Sequence, residues 1–291
     1  MLIIIGTIPI KNAPLIQGFC CFHDGVLSIE TADLPLINGT SVVLASAATV
    51  CKTLNIEAPY TLVAGDIGDG SGSNQIYRFL RDSPLNFASN TQRNVTAMSY
   101  LKPNVLYAKE SIGALKKRLN TLLIADSGAM YVAKAAGIAH EFDLFTPDFG
   151  EMAYLADPEA MHPAYTRNYI FDNADNIPQL IEQAYKNQNA AKCFIVKGSV
   201  DYVVEEGKIV DQISEPCLPV LEPIGGTGDS LMGITAALTA AGYGIVEAAV
   251  LAAKTNRLMG ELSKPSPATK VWEMLMHIPE ALQLAGLPKK Q

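Results

Sequence analysis

The sequence predicts an α/β chain in three layers, a mainly parallel sheet with helices on both faces. Three observations carry this. Short apolar runs alternate with longer helical stretches from end to end. Many of these runs stop at a Gly- or Asp-bearing loop that opens a helix. No repeat, low-complexity tract or linker divides the 291 residues, so 1–291 reads as a single domain.

Met1 to Ile5 is apolar, lacks a basic start and breaks at Gly6, which fits a buried first strand rather than a signal peptide. Phe19 to Ile29 reads as a hairpin turning at Asp24-Gly25, and its poor alternation suggests a flap outside the main sheet. Asn38-Gly39-Thr40 opens a helix to about Leu54, rich in small residues. Tyr60 to Ala64 is a strand running into Gly65-Asp66-Ile67-Gly68-Asp69-Gly70-Ser71-Gly72 and a helix over about Asn74 to Arg81. Strands are expected at Thr121–Ala125, Asp143–Thr146 and Cys193–Val196, delivering Asp126, Asp148 and Lys197. A helix over Asn176–Asn187 and a second hairpin, Tyr202–Val204 with Lys208–Val210, complete the middle. An extended Pro219–Pro223 segment leads to helices at Ser230–Ala241, Ile245–Leu262 and about Thr269–Leu284.

Composition narrows the partners. Apolar residues make up 49% and charged ones 18%, enough for a large core. The net charge is −7 and the longest basic run is Lys116-Lys117-Arg118, so no nucleic acid is expected. Five cysteines without C-x-x-C spacing point to reduced thiols and a cytoplasmic protein. Leu231 to Ala253 has spanning length with Glu247 as its one charge, yet Gly242-Tyr243-Gly244 breaks it. Two buried helices are expected there and no membrane partner.

The chemistry concentrates at Gly225-Gly226-Thr227-Gly228-Asp229-Ser230. Glycines before a helix let N–H groups converge on an anion, and the helix dipole adds positive potential. Asp229 then stands where it can take a proton from an attacking hydroxyl; it also fits a helix cap. The dipole is expected to keep it ionised as a mild base. Asp148 and Glu151, three apart at a helix start, can hold hydrated Mg²⁺ or cap the helix. Lys197 can reach a phosphate or stay solvated. Asp126 can bind a hydroxyl or cap a turn. A glycine anion hole, an acid, a metal pair and a cation are what phosphoryl transfer requires.

Gly225-Gly226-Thr227-Gly228-Asp229-Ser230-Leu231-Met232-Gly233 resembles the G-x-G-D anion-hole motif of the ribokinase-like superfamily. The resemblance covers most of the chain and points to two branches. The Asn38-Gly39-Thr40 segment and the Gly65–Gly72 loop look like the two glycine signatures of the sugar kinases. Thr146-Pro147-Asp148-Phe149-Gly150-Glu151-Met152 is similar to the T-P-H-P-G-E-M motif of the NAD(P)H-hydrate dehydratases, whose G-P-G-L-G loop is replaced by Tyr100-Leu101-Lys102-Pro103-Asn104. Sugar kinases usually carry an Asp after the first strand, where this chain has Gly6-Thr7-Ile8-Pro9.

The resemblance implies a ribokinase-like sandwich with 14–37 as a β lid. It implies Asp229 as base, and Gly226, Thr227, Gly228 and Lys197 at the nucleotide. Asn38, Gly39, Asp66, Asp69 and Asp126 are expected at the substrate, and Asp148 and Glu151 at Mg²⁺. The leading expectation is ATP-dependent phosphorylation of a small hydroxylated substrate such as a sugar or nucleoside. The alternatives are ADP- or ATP-dependent repair of hydrated NADH and NADPH, and nucleotide binding without turnover. The open edge of a lid hairpin allows two copies to pair, so a homodimer is an expectation.

Overall fold

In chain order the elements begin with strands β1 (Leu2–Ile8), β2 (Ile16–His23), β3 (Val26–Ile29) and β4 (Ala32–Leu34). Then come α1 (Thr40–Leu54), β5 (Tyr60–Gly65), α2 (Ser71–Asp82), β6 (Asn94–Ser99), α3 (Val105–Arg118), β7 (Thr121–Ala125) and α4 (Gly128–Ala135). The middle continues with β8 (Leu144–Phe145), α5 (Phe149–Ala156), α6 (Ile177–Lys186), β9 (Cys193–Val196), β10 (Asp201–Glu205) and β11 (Lys208–Ile213). The chain closes with α7 (Thr227–Ala240), α8 (Ile245–Leu262), α9 (Val271–Met274) and α10 (Ile278–Leu284). This computed structural model describes residues 1–30, 32–83, 94–163 and 176–287; residue 31 of the expected lid lies outside them.

The strands form one sheet in the order β11-β10-β9-β8-β7-β6-β1-β5-β2-β3-β4. The six from β9 to β5 run parallel, and antiparallel strands finish both edges. β1 is buried throughout because both faces are covered: Ile4 packs with α1, α7 and α8, and Ile3 and Ile5 pack with the opposite helices. Parallel crossovers bring the carboxyl ends of β5, β1, β6, β7, β8 and β9 to one side, where the site lies.

The hairpin forms where expected, with Asp24 and Gly25 both at positive φ in the turn. It is not separate from the sheet, however. The first half of β2 pairs with β5 from Ile16–Val63 to Phe19–Tyr60, and only its second half pairs with β3. The Pro219–Pro223 segment is not extended either. Pro219 opens a 3-10 turn through Leu221, whose N–H donates to the Leu218 carbonyl. The last predicted helix is broken between α9 and α10, and Pro279 sits at the start of α10. β6, α4 and most of α3 fall where the sequence predicts no element. No helix among the described residues is long and apolar enough to cross a membrane, and α7 and α8 separate at Gly242–Gly244.

The small residues of α1 have a clear use. A Cβ on Gly233 of α7 would lie 2.1 Å from Ser46 Oγ and 2.4 Å from the Val43 carbonyl of α1. The two helices are in direct contact there, which fixes the Asp229-bearing helix against α1. Gly233→Ala is therefore expected to destabilise the fold by about 2–3 kcal/mol through overpacking. Thermal melting reads this, and an unchanged melting temperature would show that the helices part at little cost.

Candidate active site

Helix α7 starts at Thr227, directly after Gly226, whose φ of 102° lies in the left-handed region. A side chain there would also strike Val271, at 2.7 Å from a Cβ. That turn places Asp229 in the first turn of α7, 3% exposed. Its Oδ2 accepts the backbone N–H of Gly39 at 2.8 Å. Gly39 is itself the N-cap of α1, at φ 95°. Two helix N-termini thus converge on one carboxylate. Asn38 lies exposed against the same loop, its Nδ2 2.4 Å from where a Gly225 Cβ would be.

Strand alternation supplies the opposite wall. Ile124 of β7 and Ile195 of β9 belong to the core on the α7 side. Two residues on, Asp126 and Lys197 follow that same face past the strand ends. Lys197 Nζ lies 2.9 Å from Asp126 Oδ1 and 3.6 Å from Glu151 Oε2. It also reaches the α7 loop, 3.2 Å from where a Gly228 Cβ would be. Burial opposes its charge, but Asp126 and Glu151 outweigh that and hold the ammonium protonated.

The same buried setting corrects one expectation. Burial, followed by the Asp126 charge, pushes the Asp229 carboxyl up to about 6. The Gly39 N–H, the Tyr100 hydroxyl and Lys197 pull the other way without cancelling it. Asp229 is still mainly ionised at neutral pH, but it is a stronger base than a helix-dipole argument alone implies.

Asp148 and Glu151 come together as a capping box on α5. Asp148 Oδ1 accepts the Glu151 N–H at 2.8 Å, and Glu151 Oε2 accepts the Asp148 N–H at 2.9 Å. Glu151 Oε1 takes the Tyr131 hydroxyl at 2.7 Å. Both Glu151 oxygens are therefore committed to protein donors, and burial, with Asp126 and Asp148, raises its pKa. Among the described residues no group of three or more His, Cys, Asp or Glu is arranged to hold a metal. The pair is not a self-sufficient metal cage; exposed Asp148 is the member open to a hydrated ion.

Asp66 and Asp69 have local work. Asp66 Oδ1 accepts the N–H groups of Gly68 and Gly70, and Oδ2 accepts the N–H and hydroxyl of Ser73. Asp69 accepts the N–H and hydroxyl of Ser71. These carboxylates shape the glycine loop and start α2.

Three contributors escaped the sequence reading. Asn256 of α8 takes the Ser230 hydroxyl at 2.6 Å and donates to the Thr227 carbonyl at 3.1 Å, fastening the first turn of α7. Tyr131 seats Glu151. Tyr100, at the end of β6, lays its ring against Gly39, whose N–H holds Asp229. Tyr100 stands in the segment that replaces G-P-G-L-G, the one signal that could have singled it out.

No protein-family model matches the chain. The uncharacterised protein MJ1337 of Methanocaldococcus jannaschii is 40% identical over 223 residues, 76% of this chain and 90% of that one. A stretch of 104 residues is 34% identical to the bifunctional NAD(P)H-hydrate repair enzyme Nnr of Hyperthermus butylicus, covering 35% of this chain and 19% of that protein. Among solved structures, phosphofructokinase-2 of Escherichia coli superposes with a TM-score of 0.59 at 15% identity, over 97% of this chain and 99% of that one. Pyridoxal kinase of Entamoeba histolytica gives 0.57 at 11% identity, over 95% and 94%. The fold is therefore that of the ribokinase-like kinases, and the chain belongs to one family with the Methanocaldococcus jannaschii protein.

Proposed function

We propose that the chain is a phosphotransferase that moves the γ-phosphoryl group of ATP to a hydroxyl of a small substrate such as a sugar or nucleoside. One observation carries this reading: Asp229, buried and fixed by the Gly39 N–H, stands in the first turn of α7 behind a glycine loop. The acceptor hydroxyl gives its proton to Asp229 as its oxygen bonds to the γ-phosphorus. The bond from that phosphorus to the β–γ bridging oxygen breaks, ADP leaves, and Asp229 returns its proton to solvent. Gly226, Thr227 and Gly228 offer N–H groups to the transferred oxygens, with Lys197 beside them. Asn38 and Gly39 face the acceptor, and Asp126 holds Lys197 in place. Asp148, seated by its capping box with Glu151, would hold Mg²⁺ brought by the nucleotide, and the ion would supply charge neutralisation on the phosphates.

A second reading is repair of hydrated NADH and NADPH with ADP or ATP. The partial match to the bifunctional repair enzyme favours it. The direct test is turnover of ATP and ADP against a panel of sugars, nucleosides and hydrated NADH. Phosphorylation of a sugar or nucleoside is expected. Turnover confined to hydrated NADH would establish the second reading, and nucleotide binding without any turnover would favour a nucleotide-binding protein without catalysis.

A further inference from the structure

Arg257 of α8 is a buried cation that the catalytic scheme leaves without a task, 8% exposed. A guanidinium carries five N–H donors in a rigid fork. Here each of them has an acceptor. Nε donates to Asp201 Oδ2 at 2.7 Å. Nη1 donates to the Ser214 and Pro216 carbonyls at 3.1 and 3.2 Å. Nη2 donates to the Gly198 and Ser199 carbonyls at 2.9 and 3.0 Å. One side chain therefore ties α8 to two separate loops, the one leaving β9 and the one leaving β11.

Both loops bear on the site. Gly198 directly follows Lys197. Its carbonyl is held by Arg257, and its N–H donates to Asp201 Oδ1 at 3.1 Å, so the Arg257–Asp201 pair grips both backbone polar groups of Gly198. On the near side, the Lys197 N–H donates to the Pro147 carbonyl at 2.8 Å. The main chain of Lys197 is thus fixed from two directions, and its ammonium lies 3.2 Å from where a Gly228 Cβ would be. The loop leaving β11 runs through the Pro219–Leu221 turn to the glycines before α7. A Cβ on Gly260 of α8 would lie 2.5 Å from Leu221 Cδ1, so that turn rests directly on α8. Asn256, beside Arg257, fastens the first turn of α7. Neighbouring turns of α8 hold both halves of the anion site, the cation and the glycine loop.

We propose that Arg257 is the positioning residue of Lys197: with Asp201 it fixes the loop after β9, and so sets the ammonium against the start of α7 before a nucleotide phosphate arrives. Lysine at 257 would keep the charge opposite Asp201. Its single nitrogen lacks the planar fork that spans two loops. The role rests on the phosphotransferase reading for the identity of the anion and not for turnover.

The experiment is equilibrium binding of Mg-ATP to the full chain in a double-mutant cycle. Arg257→Lys is expected to weaken ATP about 10-fold where Lys197 is present, and to change nothing further in Lys197→Met. Asp201→Asn is expected to follow the same pattern, and it carries the cycle if Arg257→Lys does not fold. Equal weakening in both backgrounds, or a lower melting temperature with unchanged affinity, overturns the proposal and makes Arg257 a structural clamp alone. A second measurement needs no variant. In the natural chain the Gly198 amide, in an exposed loop, is expected to exchange its hydrogen as slowly as the amides of β9. Fast exchange there also overturns the proposal. If the coupling appears and no acceptor is phosphorylated, the phosphotransferase reading fails while the positioning role stands. If the natural chain binds neither ATP nor inorganic tripolyphosphate, both fall.

Discussion

Asp229→Asn is expected to lower turnover by ~10²-fold or more while leaving nucleotide affinity nearly intact. The amide keeps an oxygen for the Gly39 N–H, so the local hydrogen bond can survive; what is lost is the proton acceptor. The same change is expected to raise the melting temperature at neutral pH. Burial and Asp126 lift the Asp229 carboxyl from 3.8 to about 6, so the folded state binds that proton more tightly than the unfolded state. Its ionisation therefore costs the fold nothing well below pH 3.8 and the full penalty well above pH 6, on the order of 3 kcal/mol. The stabilising effect of Asn should shrink as the pH falls through that window. In the unaltered protein, kcat/KM should rise with pH through a midpoint near 6, because only the carboxylate can accept the proton. Retained activity in Asp229→Asn would remove the base from the mechanism. A melting temperature that drops at every pH would instead make the carboxylate a structural group.

That opposition between function and stability explains why the motif was legible and its partner was not. A glycine-rich turn followed by an acid announces an anion site in any α/β chain, and Asp229 could be singled out from six consecutive residues. Its contact with Gly39 spans 190 positions, and only the crossing of α1 and α7 creates it. The strands that supply Asp126 and Lys197 were legible as short apolar runs. β6 was not, because Asn94, Thr96 and Ser99 are buried polar residues in a strand covered on both faces. Two of them find local partners, Thr96 lying 2.9 Å from the Thr121 hydroxyl and Asn94 Nδ2 donating to the Asn120 carbonyl at 3.5 Å. With β6 unrecognised, Tyr100 at its end had no position in the sheet. Asp66 has local partners that residue spacing did not disclose. A carboxylate in a glycine loop suggests a ligand, yet its four donors all lie within residues 68–73. Such a turn depends on backbone conformation, which residue spacing does not specify.

Lys197→Met should separate the structural and catalytic parts of the charged cluster. The ammonium sits between Asp126 and Glu151, side chains that are 2% and 9% exposed. Removing one member of a buried ion pair leaves the other uncompensated, which typically costs ~3–5 kcal/mol. The loss should be greatest at high pH, since Glu151 loses the charge that holds its pKa down, and should shrink as acid protonates it. Nucleotide affinity should fall roughly 10- to 100-fold if the ammonium also meets a phosphate, the range of a charge-assisted hydrogen bond. The double variant Lys197→Met/Asp126→Asn distinguishes the two effects. Neutralising Asp126 removes the orphaned charge nearest Lys197, so much of the stability should return. The phosphate contact cannot return with it, so the affinity should stay low. If affinity recovers together with stability, Lys197 is an internal counter-ion, and the anion site at the start of α7 acts through backbone N–H groups alone.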